Sequence, residues 1–447
     1  MGRPRRRPRA AGAATPAAAS TARVRRGPAI TEQTLLVCCL IGAAQMTWGT
    51  IVPALPLYVD RFGATALVLG PIIAAFGVGR VLANIPAGIL LRWWKPRPYL
   101  WLVSLLLVVV TGVTGLAPDA GSLIGLRVVA GVLGGAAITI GFAVLVAGAP
   151  PDRRGRVMAT VTAVQMSAGA IGSFLGGLVL TWFPLEVVFL VAGVPLALVL
   201  GWDALRPAAH YWLPRGRHGR VAETPPAEPA PSRSRRSSLS RPRDPGRVPA
   251  PQHPVVVGVT AIVVALALSS FATFFARFGG EQGLVPVAAY DSGGLTPLTL
   301  GLAMAAATLL SLAALPVVGA LIDRGHRLAV LVPGVVASAA ALLIFPVADG
   351  PWLFALAIVL YGLATSVAGI VPTVLMSEAV PARQSGLVVG ITRTAGDLGA
   401  VAGPLAALAV FDAGGLWPAI LLIVVLLLLS NVLLAALLVR RAGRPAR

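Results

Sequence analysis

The chain has 447 residues, of which 57% are hydrophobic and only 12% charged, and its net charge is +20. A soluble protein of this size carries about twice that charged fraction, so the composition excludes a water-soluble globular protein. Apolar runs of about 20 residues, the length of a bilayer-spanning helix, recur along the chain, whereas strands of a membrane barrel alternate over about 10 residues. The fold class is therefore an all-α membrane protein.

The first 29 residues are rich in Arg, Ala and Pro and lack the apolar stretch and cleavage site of a signal peptide. We interpret residues 1–29 as a disordered basic tail. Most Lys and Arg residues of the chain lie in the two tails, in the segment 206–253 and in alternate connections. This asymmetry follows the positive-inside rule, which predicts cytoplasmic termini and argues against a nucleic-acid-binding surface.

Twelve apolar segments of helical length follow in chain order. Their connections alternate between short loops without Lys or Arg, such as "APDAGS", and basic loops, such as "PPDRRGR". The predicted spans are 33–58, 66–91, 98–117, 122–147, 157–182, 185–205, 255–289, 296–321, 328–348, 351–377, 384–411 and 415–439.

The segment 206–253 is rich in Pro, Ser and Arg and has few large apolar residues, so we predict a disordered cytoplasmic linker. It separates a six-helix bundle at 30–205 from a second one at 254–440, and residues 441–447 form a cytoplasmic tail. The two halves correspond at a constant offset of 231 positions, which indicates an internal duplication with parallel halves. Examples of this correspondence are Asp60 and Asp291, Gly131 and Gly362, and Gly172 and Gly403.

The connection after the eighth span contains "GALIDRGHR", from Gly319 to Arg327. In outline it is Gly-x-x-x-Asp-Arg-x-x-Arg, and it resembles the loop signature of the major facilitator superfamily. The resemblance implies a gating loop in which Gly319 allows close helix approach. It also implies that Asp323, Arg324 and Arg327 form a charge latch that holds one conformation and breaks during transport.

The equivalent first-half segment is "GILLRWWKPR", in which Gly88 is retained. Arg92 stands where the family has Asp, so the latch is expected to depend on Asp323.

Two further motifs resemble the same family. The fourth span begins "LIGLRVVAGVLGG", in which Arg127 followed by Gly131 is similar to a fourth-helix signature associated with proton coupling. The eleventh span has the glycine spacing of the family's antiporter signature, normally found in helix 5. The resemblance implies export, and small residues at this spacing predict a helix-packing seam. The residues of the seam are Gly390, Gly399, Gly403 and Pro404.

Six charged side chains fall in the interior of predicted spans, away from the span ends, where a charge is costly and is expected to face the protein interior or a cavity. Two pairs have the i,i+4 spacing that makes side chains neighbours on an α-helix. Each pair is either a static ion pair that supports packing, or a site at which an acid exchanges protons or an arginine binds an anionic group. The six residues are Arg80, Arg127, Arg277, Glu281, Arg393 and Asp397.

Glu281 lies in the glycine-rich stretch "RFGGEQG", which is expected to be bent and to line a cavity, so we rank it above Asp397 as a proton carrier. Arg80, with Asn84 one turn later, has no acid in its own span. Its partner is expected from another helix, such as Asp60, or from a ligand. In the first span, Gln45 and Trp48 are candidate cavity residues, although Trp48 fits a packing role equally well.

The sequence contains no phosphate-binding P-loop, no metal-ligand spacing and no Ser-His-Asp arrangement, so we expect no enzyme activity, cofactor or metal. We predict a monomeric, multi-pass transporter in the plasma (inner) membrane whose partners are a small-molecule substrate, protons and the lipid bilayer, with no nucleic acid. The resemblance favours proton-coupled efflux of a small organic compound by alternating access, as in drug:proton antiporters. The alternatives are a proton symporter for a sugar, organic acid or other metabolite, and a transporter-like sensor or scaffold.

Overall fold

The computed structural model describes residues 28–63, 65–91, 93–148, 154–205, 254–378 and 385–442. The predicted linker 206–253, most of the two predicted tails and Arg92 lie outside these residues. Within the described helices a few side chains, including that of Asn84, also lie outside the description.

The described chain is helical throughout, with no strand among its residues, and it contains twelve rods long and apolar enough to cross a membrane. The predicted all-α fold with twelve spans is therefore confirmed. The first rod combines α1, a 3₁₀ helix and α2, and the seventh combines α8, a π-helix and α9. The α-helices are α1 (Pro28–Gly49), α2 (Leu55–Arg61), α3 (Ala66–Leu90), α4 (Pro96–Thr114), α5 (Ala120–Gly148), α6 (Arg154–Trp182), α7 (Val187–Leu205), α8 (Pro254–Phe275), α9 (Val285–Asp291), α10 (Pro297–Asp323), α11 (Arg327–Ile344), α12 (Pro351–Glu378), α13 (Ser385–Gly414) and α14 (Leu416–Ala442).

The internal repeat is visible in the connection after the first rod of each half. Gly63 and Gly294, which are 231 positions apart, have φ angles of 60° and 61°. A residue with a side chain rarely adopts this conformation, so glycine permits the same tight reversal in both halves. The helix that follows begins at Ala66 in the first half and at Pro297 in the second, again 231 positions apart.

The two halves, α1–α7 and α8–α14, meet along α3 with α13 and along α6 with α10. Glycines bring the backbones together there: a Cβ added to Gly177 would lie 2.3 Å from the Pro297 carbonyl oxygen. One added to Gly301 would lie 2.5 Å from the Ser173 carbonyl oxygen, and one on Gly70 3.0 Å from that of Pro404. Small residues are typical of such interfaces because lipid supplies no hydrophobic drive between helices, so packing must hold them.

The halves are not equally close at both ends of the bundle. We define the short-loop end by residues 61–66, 114–120, 182–187, 291–297, 344–351 and 414–416, and the tail end by residues 90–96, 205, 323–327 and 442. The close glycine contacts lie toward the short-loop end. At the tail end, a Cβ added to Gly88, Gly319 or Gly390 would meet no atom within 4 Å among the described residues. The close glycine contacts between the halves therefore lie toward the short-loop end, and these three tail-end glycines make none.

The seventh rod contains a π-helix, Ala276–Leu284, which coincides with the glycine-rich stretch "ARFGGEQGL". At its start the Tyr361 hydroxyl donates a hydrogen bond to the Ala276 carbonyl oxygen at 2.9 Å. A Cβ on Gly279 would lie 2.6 Å from the Gly403 carbonyl group, so glycine lets α13 lie directly against this wide turn. Such π-turns within α-helices are often found at functional sites.

Candidate functional site

Arg127 of α5 is the largest fully buried side chain in the described part of the chain, with 1% of its surface exposed. Its guanidinium carbon lies 4.5 Å from the ring centroid of Trp48 and 5.1 Å from that of Phe76. The rings stack on each other at 4.4 Å. A desolvated arginine gains about 2 kcal/mol from such a cation–π contact.

Close packing of α3 on α5 places Arg127 beside these rings. A Cβ on Gly79 would lie 2.1 Å from the Val128 carbonyl oxygen, and one on Gly131 would lie 2.2 Å from that of Phe76. Only glycine at both positions allows this approach. Gly131 lies one turn after Arg127, so the backbone contact that it permits holds the guanidinium next to Phe76.

Two nitrogen atoms of Arg127 are left without a hydrogen bond in the described structure. Nε and Nη2 are both buried and have no protein partner there. Leaving a buried donor unpaired costs about 1–3 kcal/mol, and more for a charged group. Arg127 is therefore a buried cation held by aromatic rings but not satisfied by hydrogen bonds.

Trp48 connects the two halves of the molecule. Its indole Nε1 donates a hydrogen bond to Oε1 of Gln282 at 2.8 Å, which joins α1 to the π-helix. Nearer the short-loop end, the Tyr290 hydroxyl donates to the Pro53 carbonyl oxygen at 2.7 Å. Trp48 is 3% exposed, so in this conformation it is a buried contact residue, while Gln45 on the same helix is half-buried.

A second group of charges lies where α3, the π-helix and α13 meet. Arg80 lies within electrostatic range of Asp397, Arg393 and Arg277. Glu281 lies within range of Arg277, so the group draws residues from both halves. Asp397 is buried, whereas Arg277 and Arg393 are exposed.

Asp60, the example given above of a partner for Arg80 on another helix, is not the acid that acts on Arg80. Asp60 lies at the end of α2, at the short-loop end, and interacts electrostatically with Asp291. The acid that acts on Arg80 is Asp397 of α13. Sequence spacing could not identify this pair because the two residues belong to different halves.

Arg277 and Glu281 do not form the static ion pair that was one of the two alternatives for their i,i+4 spacing. No salt bridge joins Arg277 and Glu281 in the described structure, and the two residues interact at longer range. A π-helix has i→i+5 hydrogen bonds and a wider turn, so residues four apart are not placed as on an α-helix. Arg277 is exposed and Glu281 half-buried.

The residues of the predicted gating loop lie at the tail end. Asp323, at which α10 ends, is exposed, as is Arg324, and Arg327 is half-buried at the start of α11. Gly325 has a φ angle of 88°, which permits the reversal between the two helices. Gly319 and Gly88 have no atom within 4 Å of an added Cβ among the described residues. The loop therefore does not use its glycines for close packing in this conformation.

The predicted packing residues of α13 fall into two groups. A Cβ on Gly399 would lie 2.2 Å from the Phe271 carbonyl oxygen, and one on Gly403 would lie 2.5 Å from that of Phe275. Pro404 packs through its carbonyl group against the other half at Gly70. Gly390 shows no packing contact of this kind, because an added Cβ would meet no atom within 4 Å among the described residues.

Several important residues were missed by sequence reasoning. Gln282 and Phe76 were not identified, although Gln282 stands next to Glu281 in "RFGGEQG". Asp203 was also missed: it is buried near the tail end and accepts a 3.0 Å hydrogen bond from Nε of Arg97. The sequence did offer a signal for Asp203. It is a lone acid in the apolar stretch "VLGWDAL", at the end of a predicted span on the same side as a basic loop, and such an acid is expected to need a partner.

These features define a class: a twelve-helix membrane transporter with two repeat-related bundles and buried charges between them. The family model described as Major Facilitator Superfamily matches residues 37–293 and 266–447. The chain belongs to the major facilitator superfamily.

Two curated proteins are similar over part of the chain. The multi-drug resistance efflux pump PmrA homolog of Lactococcus lactis is 27% identical over 172 residues, which cover 37% of this chain and 41% of that protein. The uncharacterized MFS-type transporter MJ1560 of Methanocaldococcus jannaschii is 23% identical over 145 residues, covering 32% and 38%. The chain thus matches about two fifths of the length of these relatives.

Solved structures share the fold over almost the whole chain. A bacterial homolog of the human lysosomal transporter Spinster, in an inward-facing and unoccupied conformation, has a TM-score of 0.67 at 14% identity, covering 94% of this chain and 99% of that one. The nucleoside transporter NupG has a TM-score of 0.66 at 11% identity, covering 91% and 99%. The human organic anion transporter MFSD10 (TETRAN) has a TM-score of 0.62 at 19% identity, covering 91% and 100%.

Proposed function

We propose that the chain is a secondary active transporter that exports a small organic compound in exchange for protons. It is a multi-pass protein of the plasma (inner) membrane, and its tail end, with both termini, faces the cytoplasm. The observation that carries the proposal is the group of charges between the halves, in which Arg80 and Arg277 interact with Asp397 and Glu281 respectively. Such groups are costly in a membrane and mark ion or proton pathways.

The arrangement is suited to proton exchange because its members lie on different rods. A carboxyl group in an apolar surrounding favours its neutral form, and a nearby arginine favours its charged form. When the halves rock, the distance between Asp397 on α13 and Arg80 on α3 changes, because the two residues lie in different halves. Proton exchange requires such a change in the charges that surround an acid during the transport cycle.

Alternating access is supported by the unequal ends of the molecule. The glycine contacts of Gly177 and Gly301 close the short-loop end, whereas Gly88 and Gly319 at the tail end have free space around them. In the opposite conformation the proposed latch of Asp323 and Arg324 forms while the short-loop contacts open. Export is favoured by the glycine spacing of α13 and by similarity to a protein named as a multidrug efflux pump.

The proposal is tested in everted membrane vesicles that are acidified inside, with internal pH followed by a fluorescent dye. A transported compound from a broad panel should discharge the proton gradient in vesicles with the protein and not in vesicles without it. Movement of the compound in the same direction as the protons would indicate symport instead. No proton movement with any compound would contradict proton-coupled transport.

A further inference from the structure

We infer that Arg127 binds the carboxylate of an aromatic organic anion. Such anions would then be the substrate class of the transporter, so this inference rests on the proposed transport function. Arg127 is 1% exposed, and its Nε and Nη2 atoms make no hydrogen bond to any described residue. A buried polar group without a partner in a protein calls for an explanation, and ligand binding is one that the chemistry of this group supports.

The two unpaired atoms are placed for one particular ligand group. In a planar guanidinium, Nε–H and one Nη2–H point in parallel from the same edge. This two-donor fork matches the two oxygen atoms of a carboxylate, with two parallel hydrogen bonds. A lysine, as a point charge, cannot reproduce this geometry.

The charge on Arg127 also lacks a partner within the described protein. No ionisable group there acts on it electrostatically, in contrast to Arg80, which shares Asp397. The desolvation of one buried ion costs several kcal/mol. An anion at the fork offsets this cost, and a neutral or cationic ligand does not.

Aromatic side chains define the rest of the ligand. Trp48 and Phe76 border the guanidinium, and the ring of Phe278 lies 6.0 Å from that of Trp48. Aromatic rings attract one another at centroid distances of about 4.5–7 Å, so an aromatic ligand is the complement of these side chains. The chemistry therefore fits a carboxylate attached to an aromatic body.

Access to the fork is tied to the state of the transporter. Trp48 is held beside Arg127 by its hydrogen bond to Gln282 of the other half. When the halves move relative to each other, this bond breaks and Trp48 is free to swing away. The carboxylate then reaches the buried edge of Arg127.

The test uses the full-length protein in lipid nanodiscs and isothermal titration calorimetry without a proton gradient. The probes are naphthalene-2-carboxylate, its uncharged carboxamide and naphthalen-2-ylmethylammonium, which differ mainly in charge. The wild type is expected to bind the carboxylate at least ~10-fold more tightly than the other two, since one bidentate charged pair contributes at least this factor. Arg127→Gln is expected to abolish the preference, and Arg440→Gln, which changes an exposed arginine near the end of α14, to retain it.

Arg127→Lys provides a second variant if the glutamine variant does not fold. It keeps the charge and loses the fork, so it should bind the carboxylate more weakly than the wild type while still favouring it over the ammonium probe. Equal binding of the three probes to the wild type, a preference that persists in Arg127→Gln, or wild-type carboxylate affinity in Arg127→Lys would overturn the inference. If the wild type prefers the carboxylate but no compound drives proton movement in the vesicles, only the proposed transport function is refuted.

Discussion

Trp48 donates its indole hydrogen bond to Gln282, 234 positions later in the chain, and thereby ties the first rod of one half to the seventh rod of the other. The same indole ring stacks on Phe76 and borders the buried guanidinium of Arg127. One aromatic side chain thus links closure of the short-loop end to the environment of a buried charge. A change at Gln282 should consequently alter the balance between conformations.

Replacement of Gln282 by Leu should open the short-loop end more often. The variant leaves the buried indole N–H of Trp48 without an acceptor, which costs the closed conformation about 1–3 kcal/mol. Double electron–electron resonance between spin labels at Thr65 and Ser292 should show a larger population at long distance. Both positions are exposed at the short-loop end.

Gln45→Leu is the matched control for this experiment. Gln45 is half-buried on the same helix as Trp48 and has no hydrogen bond across the halves in the described structure. It should leave the distance distribution unchanged. If Gln282→Leu behaves like this control, Trp48 does not hold the short-loop end closed.

Gly177→Ala should destabilise the closed short-loop end. Its added methyl group would lie 2.3 Å from the Pro297 carbonyl oxygen, and overpacking of this kind costs about 1–3 kcal/mol. The expected result is a lower melting temperature together with a shift toward the conformation open at that end. Gly88→Ala, where nothing lies within 4 Å, is the control and should change neither quantity in this conformation.

Asp323→Asn should impair transport without lowering the stability of the conformation described here. Asp323 is exposed at the tail end, so its charge contributes little to this conformation. The proposed latch forms only when the tail end closes, and its loss should shift the population toward the state open at the tail end. Transport of an identified substrate should fall several-fold, while Asp349→Asn, an exposed acid at the other end, should not affect it.

Arg97→Ala should cost more stability than Arg61→Ala. Asp203, the partner of Arg97, is 1% exposed. Its carboxylate accepts a hydrogen bond from Nε of Arg97, and its backbone carbonyl oxygen accepts one from Nη2. Losing hydrogen bonds to a buried charge costs about 1.5–3 kcal/mol. The Arg61–Glu186 pair is solvated and should contribute under ~1 kcal/mol. Equal losses in a denaturant titration would contradict this ranking.

The sequence predicted the architecture well because apolar length and charge asymmetry are local properties. The twelve predicted spans correspond to the twelve rods, and the offset between Gly63 and Gly294 appears as a shared backbone conformation. The 3₁₀ helix at Val52–Ala54 and the π-helix at Ala276–Leu284 were not predicted, because an interruption of the hydrogen-bond pattern leaves the apolar composition unchanged.

The candidate site was harder to predict because its contacts join distant helices. The six charged residues could be picked out by their cost in a membrane, but the pairing of Arg80 with Asp397 depends on how the halves meet. Likewise, the spacing of Arg277 and Glu281 suggests an ion pair only if the segment is α-helical, which it is not. The ring contacts of Arg127 depend on the approach of three separate helices.

The central claim is that acids between the two halves exchange protons during transport. Glu186 is a suitable control acid: it lies in a loop, and hydrogen bonds from its own backbone N–H and from Arg61 hold its pKa below the ordinary value, so it stays charged at neutral pH. The control variant is therefore Glu186→Gln.

The most direct measurement is compound-dependent proton movement in everted vesicles carrying the wild type, Glu281→Gln, Asp397→Asn or the control, at matched protein levels. The account predicts that the wild type and the control discharge the gradient, and that at least one of the other two variants is reduced by about tenfold or more, as expected when a group that transfers a proton is lost. Proton movement at the wild-type rate in both Glu281→Gln and Asp397→Asn would contradict it.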